Sequence, residues 1–376
     1  MTTPGTLGTV AVIGNGLIGH GVAQVFAAAG KEVRLIGRRE ASLRSAMDKI
    51  KASLKSFADY GLLTPTGAKT AMGRIRPTTD MNEAAAATLI VEAVPFVHAL
   101  QLEIFEALDR ICAPPTVLAS SSGQVASELV ARVTRRERVV AAHFWYPSQH
   151  IPAVEVCAGP ETAPDVVPWL CKVLEEVGKV PVVLNREVKG LIGNRMQLAL
   201  LREAWALWAS GVASAEMIDT VVRTSFGRRL AITGPIESAD VGGLETLYNY
   251  GTWLIPDLDR APHPSPKVGE LVKAGHTGPS TGRGVYDWTK RDPRALLSAR
   301  MNELLRWLAV DQAERSGGRA AATRPAAKRA TRRSKKMLPV RRREREGRPV
   351  EPASPRPAAL RSSEGPGRRA AGRPRG

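Results

Sequence analysis

Residues 9–19 read Thr9-Val10-Ala11-Val12-Ile13-Gly14-Asn15-Gly16-Leu17-Ile18-Gly19, and they set the architecture of the chain. The first five have the apolar character of a buried parallel strand. A helical pattern then runs from His20 to Ala29, and residues 32–36 return as a second strand. This order predicts a βαβ unit with its glycine-rich turn between strand and helix.

The three glycines have separate tasks in such a turn. Gly14 permits the tight turn out of the strand, Gly16 lets the backbone approach a pyrophosphate, and Gly19 allows the helix to pack closely on the strand. The pyrophosphate then meets the free N–H groups at the helix N-terminus. A GxGxxG motif alone is also found in flexible turns, but the strand–turn–helix context favours dinucleotide binding. The predicted cofactor-binding residues here are Gly14, Gly16, Leu17, Ile18 and Gly19.

The end of the second strand bears on the choice between NAD and NADP. An acidic side chain at this point would accept a hydrogen bond from the adenine ribose, whereas arginine accommodates a 2′-phosphate. The chain has Gly37-Arg38-Arg39, and Glu40 comes only afterwards. We therefore expect NAD or NADP as cofactor, with Arg38 in contact and a slight preference for NADP. The alternative is that these arginines are solvated or stack on the adenine.

Strands and helices alternate along the first half of the chain. Strands are expected at 88–91, 116–119, 139–142, 154–157 and 181–184, with helical patterns such as 100–111 and 166–177 between them. Alternation predicts an α/β fold with a Rossmann-type, doubly wound, mostly parallel sheet. From residue 189 helical spacing dominates. We predict a cofactor domain over 1–188, an all-α substrate and dimerisation domain over 189–310, and a disordered basic tail over 311–376.

The tail accounts for most of the charge. The chain carries +18, and residues 311–376 hold 20 Lys and Arg against 6 Asp and Glu. Runs such as Arg332-Arg333-Ser334-Lys335-Lys336 could bind nucleic acid through phosphate charge. Without aromatic residues among them, base stacking is not expected. A solvated tail is favoured over nucleic-acid binding, and the product of a misread frame in a GC-rich gene is a third explanation of the composition.

Three cysteines stand apart, with no CxxC or Cys/His cluster. This content argues against a disulfide scaffold or a zinc site and favours a reducing, cytoplasmic location. Residues 5–30 lack charged side chains but include seven glycines, and no basic residue precedes Lys31. We therefore expect neither a signal peptide nor a membrane span there.

Several motifs in one order resemble the 3-hydroxyacyl-CoA dehydrogenase family over residues 8–290. They are Val12 to Val25, Ala119-Ser120-Ser121-Ser122-Gly123, Ala142-His143-Phe144-Trp145-Tyr146-Pro147, Val154-Glu155-Val156, Ile192-Gly193-Asn194-Arg195 and Thr281 to Trp288. The serine run, and Gly227 to Pro235, resemble a branch containing L-gulonate 3-dehydrogenase (lambda-crystallin) and carnitine dehydrogenase. Members of that branch oxidise free 3-hydroxy acids.

The resemblance implies a catalytic set. Oxidation of a secondary alcohol needs a base for the hydroxyl proton as the hydride leaves, and histidine suits this near neutrality. His143, expected just past a strand, is carried over as that base and Glu155, twelve residues on, as its partner. Ser122 and Asn194 match residues that contact the substrate, and Glu92 matches one near the nicotinamide ribose. A small-molecule 3-hydroxy substrate and a homodimer are implied as well.

Some positions depart from the family. Tyr146 replaces the usual asparagine, which puts the usual substrate contact in doubt. Gln101 and Phe96 stand where many relatives carry Lys and Glu. Since the body shows no evident cationic cluster for CoA phosphates, a small carboxylate substrate is weakly favoured.

Two other hypotheses remain at this stage. A lysine-dependent β-hydroxyacid dehydrogenase would use Lys189, which lies near the start of the long predicted helix. A catalytically altered dinucleotide-binding protein with a nucleic-acid-binding tail is the non-enzymatic alternative. His150 could line a pocket, and the remaining histidines receive no role.

Overall fold

The computed structural model describes residues 5–315. Eight strands form one sheet: β1 (Thr9–Ile13), β2 (Val33–Ile36), β3 (Ile75–Thr78), β4 (Ala87–Glu92), β5 (Val117–Ser120), β6 (Val139–Phe144), β7 (Ala153–Ala158) and β8 (Val180–Val183). Their order is β3-β2-β1-β4-β5-β6-β7-β8. Neighbouring strands are parallel except β6 and β7, which are antiparallel.

Six helices flank the sheet: α1 (Gly19–Ala28), α2 (Glu40–Asp59), α3 (Pro65–Gly73), α4 (His98–Ile111), α5 (Ala126–Leu129) and α6 (Val166–Glu176). Alternate residues of β1 serve opposite faces. Val10 and Val12 join one buried cluster with Phe26 of α1, whereas Ala11 and Ile13 join another with Phe105 of α4. Burial on both faces explains why β1 has no polar alternation.

Seven helices follow: α7 (Leu191–Ala209), α8 (Ala215–Thr224), α9 (Phe226–Leu230), α10 (Pro235–Gly242), α11 (Leu244–Leu254), α12 (Pro266–Lys273) and α13 (Pro293–Arg315). The last one returns to the sheet half, where Leu305 packs with Phe57 and Leu62. Among residues 5–315, no helix is both long and apolar enough to cross a membrane.

The predicted fold class is confirmed, since a mostly parallel, Rossmann-like sheet precedes a helical part. The expected strands agree with the observed ones to within two residues, but β3 and α2 were not predicted. One placement is corrected: His143 lies inside β6, because that strand continues to Phe144. Residues 311–315, placed in the tail from composition, belong to α13, and residues 316–376 lie outside the described part.

Candidate active site

The glycine loop joins β1 to α1 where the strand order reverses. Gly14 has φ 101°, and a Cβ added there would lie 2.6 Å from the carbonyl oxygen of Ala93. A Cβ on Gly19 would overlap the carbonyl oxygen of Gly14, whereas the space around Gly16 is open. The loop therefore needs glycine at two positions for its own packing and leaves its backbone accessible at the third.

A cavity of about 770 Å³ opens beside this loop, at the carboxyl ends of β1, β2 and β4. Gly14, Gly16, Leu17, Ile18 and Arg38 all contribute to its wall. Ligands bind at this place in open α/β sheets. The accessible backbone and the cavity fit the diphosphate and adenosine of a dinucleotide.

His20 stabilises the glycine loop between β1 and α1, a role that the sequence did not reveal. Its Nδ1 atom lies 2.6 Å from the carbonyl oxygen of Gly16. Burial lowers the pKa of His20, and the Gly16 carbonyl only partly offsets this. A neutral ring with Nδ1 protonated can donate to Gly16 and hold the turn in place.

His143 and Glu155 face each other across the antiparallel pair of β6 and β7. The Nδ1 atom of His143 lies 2.9 Å from Oε2 of Glu155, and both residues are buried. The twelve-residue spacing therefore reflects direct cross-strand pairing. A carboxylate on Nδ1 fixes the ring so that Nε2 is the basic nitrogen.

Glu155 also connects the sheet half with the helical half. Its Oε1 atom accepts hydrogen bonds from the backbone N–H groups of Ile192, at 2.8 Å, and Gly193, at 2.9 Å, in the first turn of α7. Burial acts to raise the pKa of Glu155, but the hydrogen bonds from His143, Gly193 and Ile192 bring that pKa below its usual value. Glu155 thus stays ionised to hold the imidazole.

Trp145 is a second member of this cluster that sequence reasoning missed. Its indole N–H donates to Oε2 of Glu155 at 3.2 Å, and its ring meets that of His143 edge-on at 5.1 Å between centroids. A Cβ on Gly193 would overlap the indole. Trp145 is therefore wedged between the base and α7, and its place two residues after His143 was the available signal.

The hydroxyl groups of Ser120, Ser121 and Ser122 make different contacts. Ser121 is buried, and its Oγ accepts from the backbone N–H of Phe144 at 3.2 Å. Ser122 is part-exposed, and its Oγ lies 2.8 Å from Oγ of Ser120. Oγ of Ser120 in turn lies 2.6 Å from Oε2 of the fully buried Glu92. Ser122 is thus the one of the three that is open to the cleft.

Asn194 approaches the same point from α7. A Cβ on Gly123, which has φ 77°, would lie 3.0 Å from Nδ2 of Asn194 and 3.6 Å from Nε2 of His143. The structure therefore brings His143 and Asn194 around one small space beside Gly123, the residue that follows Ser122. Glycine keeps that space open.

Two family models match most of the chain. The model for the 3-hydroxyacyl-CoA dehydrogenase NAD binding domain matches residues 9–188, and the model for the C-terminal domain matches residues 190–288. The chain belongs to the 3-hydroxyacyl-CoA dehydrogenase family. It is thus an oxidoreductase acting on CH–OH groups, with NAD as the supported cofactor.

Individual relatives agree. A probable 3-hydroxybutyryl-CoA dehydrogenase of Bacillus subtilis is 33% identical over 284 residues, which cover 75% of this chain and 98% of the relative. A lambda-crystallin homolog of Bos taurus is 35% identical over 243 residues, covering 63% and 76%. A crystal structure of 5-formyl-3-hydroxy-2-methylpyridine 4-carboxylic acid 5-dehydrogenase superposes with a TM-score of 0.75 at 28% identity, covering 83% of this chain and all of the other.

The other residues considered in the sequence analysis lie apart from the cluster of His143, Glu155 and Trp145. Lys189 is exposed and pairs with Glu128 at 3.2 Å. Phe96 is exposed, and Gln101 is buried. His150 packs edge-on against Phe57, and burial lowers its pKa to about 4. Across residues 5–315, no group of three His, Cys, Asp or Glu could hold a metal.

Proposed function

We propose that this protein oxidises the 3-hydroxy group of a 3-hydroxyacyl-CoA or a free 3-hydroxy acid to the 3-keto product, with His143 as general base. The observation that carries the proposal is the His143–Glu155 pair, with Nδ1 2.9 Å from the carboxylate. Because Nδ1 is committed to Glu155, Nε2 is the atom that takes the hydroxyl proton. Ionised Glu155 then stabilises the imidazolium.

The remaining residues position the two reactants. Ser122 and Asn194 hold the substrate oxygen beside Nε2 of His143. The backbone of Gly14, Gly16, Leu17, Ile18 and Gly19 binds the diphosphate, and Glu92 stays a prediction for the ribose region. The nicotinamide ring, when bound, supplies the hydride acceptor. The alcohol therefore loses its proton to His143 and its hydride to the cofactor.

We further propose a preference for NADP. Arg38, Arg39 and Lys49 contribute to the wall of the same cavity, together with the hydroxyl-bearing Ser42 and Ser45. Cationic and hydroxyl groups at this end complement a 2′-phosphate, which charge-assisted hydrogen bonds bind strongly. Arg38→Asp should weaken NADP⁺ binding by about tenfold or more and leave NAD⁺ binding nearly unchanged. Calorimetry with each nucleotide tests this, and Arg110→Ala on α4 is the control. Equal weakening of both nucleotides would contradict it.

A small carboxylate is the substrate we favour over a CoA thioester. Tyr146, 45% exposed, follows the base by three residues and offers a phenol where the family resemblance implies asparagine. The superposed relative is named for a pyridine carboxylate, and the Bacillus subtilis relative for a CoA thioester. The chain is thus similar to relatives named for either type of substrate. The departure at Tyr146 supports the smaller substrate.

We propose a homodimer that covers the helical half. Val241, Tyr248 and Trp253 are at least 70% exposed in the single chain. Apolar patches of this kind mark protein interfaces. A cytoplasmic location stays a prediction from the cysteine content, and nucleic-acid binding by the tail concerns residues outside the described part.

The lysine-dependent alternative receives no support from the geometry. Lys189 is paired with Glu128, whereas the His143 cluster has a complete set of partners. The other alternative is a catalytically altered protein, which would keep this fold but lack the proposed activity.

The decisive experiment follows absorbance at 340 nm, a wavelength suited to reduced nicotinamide. NAD⁺ or NADP⁺ is offered with 3-hydroxybutyryl-CoA, 3-hydroxybutyrate, L-gulonate or L-carnitine. We expect turnover of at least one substrate, lost by about a hundredfold or more in His143→Ala. His263→Ala, on an exposed loop histidine, is the matched control. Binding of the cofactor without turnover of any substrate would contradict the proposal.

A further inference from the structure

A chain of short contacts leads from the buried sheet to the substrate position. Oε2 of Glu92 lies 2.6 Å from Oγ of Ser120, which lies 2.8 Å from Oγ of Ser122. Glu92 ends β4 and Ser120 ends the adjacent β5, where the two residues are register partners. Three polar side chains therefore form a chain of contacts from the fully buried Glu92 to the part-exposed Ser122.

The protons in this chain can be counted. Each serine hydroxyl has one proton and two acceptor lone pairs. Oγ of Ser120 also accepts from the backbone N–H of Ser122, at 3.3 Å, and Oγ of Ser122 from the backbone N–H of Gln124, at 3.4 Å. On the other side, Oε1 of Glu92 accepts from the backbone N–H of Val94 at 2.8 Å. These donors fix how the remaining protons must point.

An ionised Glu92 would turn Ser122 away from the substrate. Ser120 would donate to the carboxylate, so Ser122 would have to donate to Ser120. Ser122 could then only accept a proton from the substrate hydroxyl. That proton is needed by Nε2 of His143, because the proposed mechanism removes it there. The two demands conflict.

A neutral Glu92 removes the conflict. The carboxylic acid donates from Oε2 to Ser120, Ser120 donates to Ser122, and Ser122 donates to the substrate oxygen. Every lone pair named above keeps its partner. The substrate oxygen then receives a hydrogen bond from Ser122 while its own proton goes to His143, and the same donor serves the keto oxygen of the product.

We infer that Glu92 is a positioning residue that works as a neutral carboxylic acid and, through Ser120, makes the Ser122 hydroxyl a donor to the substrate oxygen. This inference rests on the proposed function for its catalytic meaning, but the protonation of Glu92 stands on its own.

The surroundings of Glu92 support the neutral form. Burial raises the pKa of Glu92, and the hydrogen bonds from Ser120 and the Val94 N–H only partly offset this. The groups that face it come from β5, from the residues after β4 and from α4, and none of them is charged. A carboxyl group in such a site can remain protonated at neutral pH.

The kinetic test uses Glu92→Gln. The backbone N–H of Val94 needs an acceptor, so the amide oxygen takes the place of Oε1 and the amide N–H₂ donates to Ser120. The direction of the chain is kept. We expect Glu92→Gln to lose less kcat/KM near neutral pH than Ser120→Ala, in which kcat/KM should fall by about tenfold. The alkaline decline caused by ionisation of Glu92 should disappear in Glu92→Gln. A loss in Glu92→Gln as large as that in Ser120→Ala would overturn the inference.

A second measurement needs no turnover. The infrared spectrum of the full-length protein at neutral pH should contain a protonated-carboxyl carbonyl band that Glu92→Gln lacks. Glu83→Gln, whose carboxylate lies 3.3 Å from Arg34 and Arg76, is the control and should retain the band. A difference spectrum that shows a carboxylate for Glu92 would overturn the inference. Failure of the proposed function would instead appear as absent turnover with the carboxyl band still present.

Discussion

All six residues of β6 are buried, whereas the six helices from α7 to α12 together have one buried residue, Leu191. The sheet half covers both of its faces with its own helices. The helical half does not: Met217 and Val221 of α8, one turn apart, are 63% and 59% exposed. Exposed apolar patches of this kind are typical of interaction surfaces. The difference teaches that the sheet half buries its apolar residues within one chain, whereas the helical half leaves apolar side chains exposed.

The largest expected effect lies in the sheet core. Phe26 is fully buried, and Phe26→Ala should lower the free energy of unfolding by about 3–5 kcal/mol because it leaves a cavity. Trp253→Ala in the helical half removes a larger side chain but should cost a dilute monomer less than about 1 kcal/mol. Denaturant unfolding at low protein concentration measures both. Equal losses would remove the contrast between the halves.

Between the halves, Gly193→Ala should have the next largest effect. The added methyl group would overlap Trp145, so α7 must shift away from Glu155. Overpacking of this kind costs about 1–3 kcal/mol, and we expect kcat/KM to fall by at least about tenfold while cofactor binding persists. Gly251→Ala on α11, where a Cβ would be in ordinary contact at 3.4 Å, is the control. Unchanged kinetics would mean that the seating of α7 is not required for catalysis.

The uncovered surface of α8 should determine assembly. Val221→Glu places a charge on the apolar stripe and should weaken self-association by about tenfold to a hundredfold. Thr220→Glu adds the same charge one position away and should have little effect. Sedimentation velocity over a concentration series compares the two. A wild-type monomer at all concentrations would show that no second copy covers this face.

The smallest effect is the acid response of the Glu155 cluster. Because the pKa of Glu155 is lowered in the folded state, its contribution to stability is present above the unfolded-state pKa and is lost as the pH falls through the folded-state value. Glu155→Gln should flatten this part of the stability profile. Thermal unfolding between neutral and acidic pH gives the comparison. A profile as steep as that of wild type would assign the acid loss to other carboxylates.

Much of the sheet half could be predicted because its signals are local. A glycine triplet after an apolar strand is a short-range pattern, and it predicted β1, α1 and the cavity beside them. His143 and Glu155 came from a family resemblance, and the antiparallel register then explained their spacing. Strand β3 was missed because its alternating sequence, with Arg76 and Pro77, lacks a buried-strand pattern.

The polar contacts behind the site could not be predicted in the same way. Glu92 and Ser120 are 28 residues apart, and only the adjacency of β4 and β5 makes them neighbours. Trp145 gains its role from its packing against α7 and from its hydrogen bond to Glu155. Contacts of this type depend on strand order and on the seating of one half against the other, so they emerge only from the folded chain.

Oε2 of Glu155 contacts Nδ1 of His143, and Oε1 accepts hydrogen bonds from two N–H groups in the first turn of α7. The same carboxylate therefore orients the imidazole of His143 and holds the start of α7 against the sheet half. A shift of α7 that removed the N–H groups of Ile192 and Gly193 would leave Oε1 of Glu155 without its donors. The seating of α7 and the orientation of the His143 ring therefore depend on the same carboxylate.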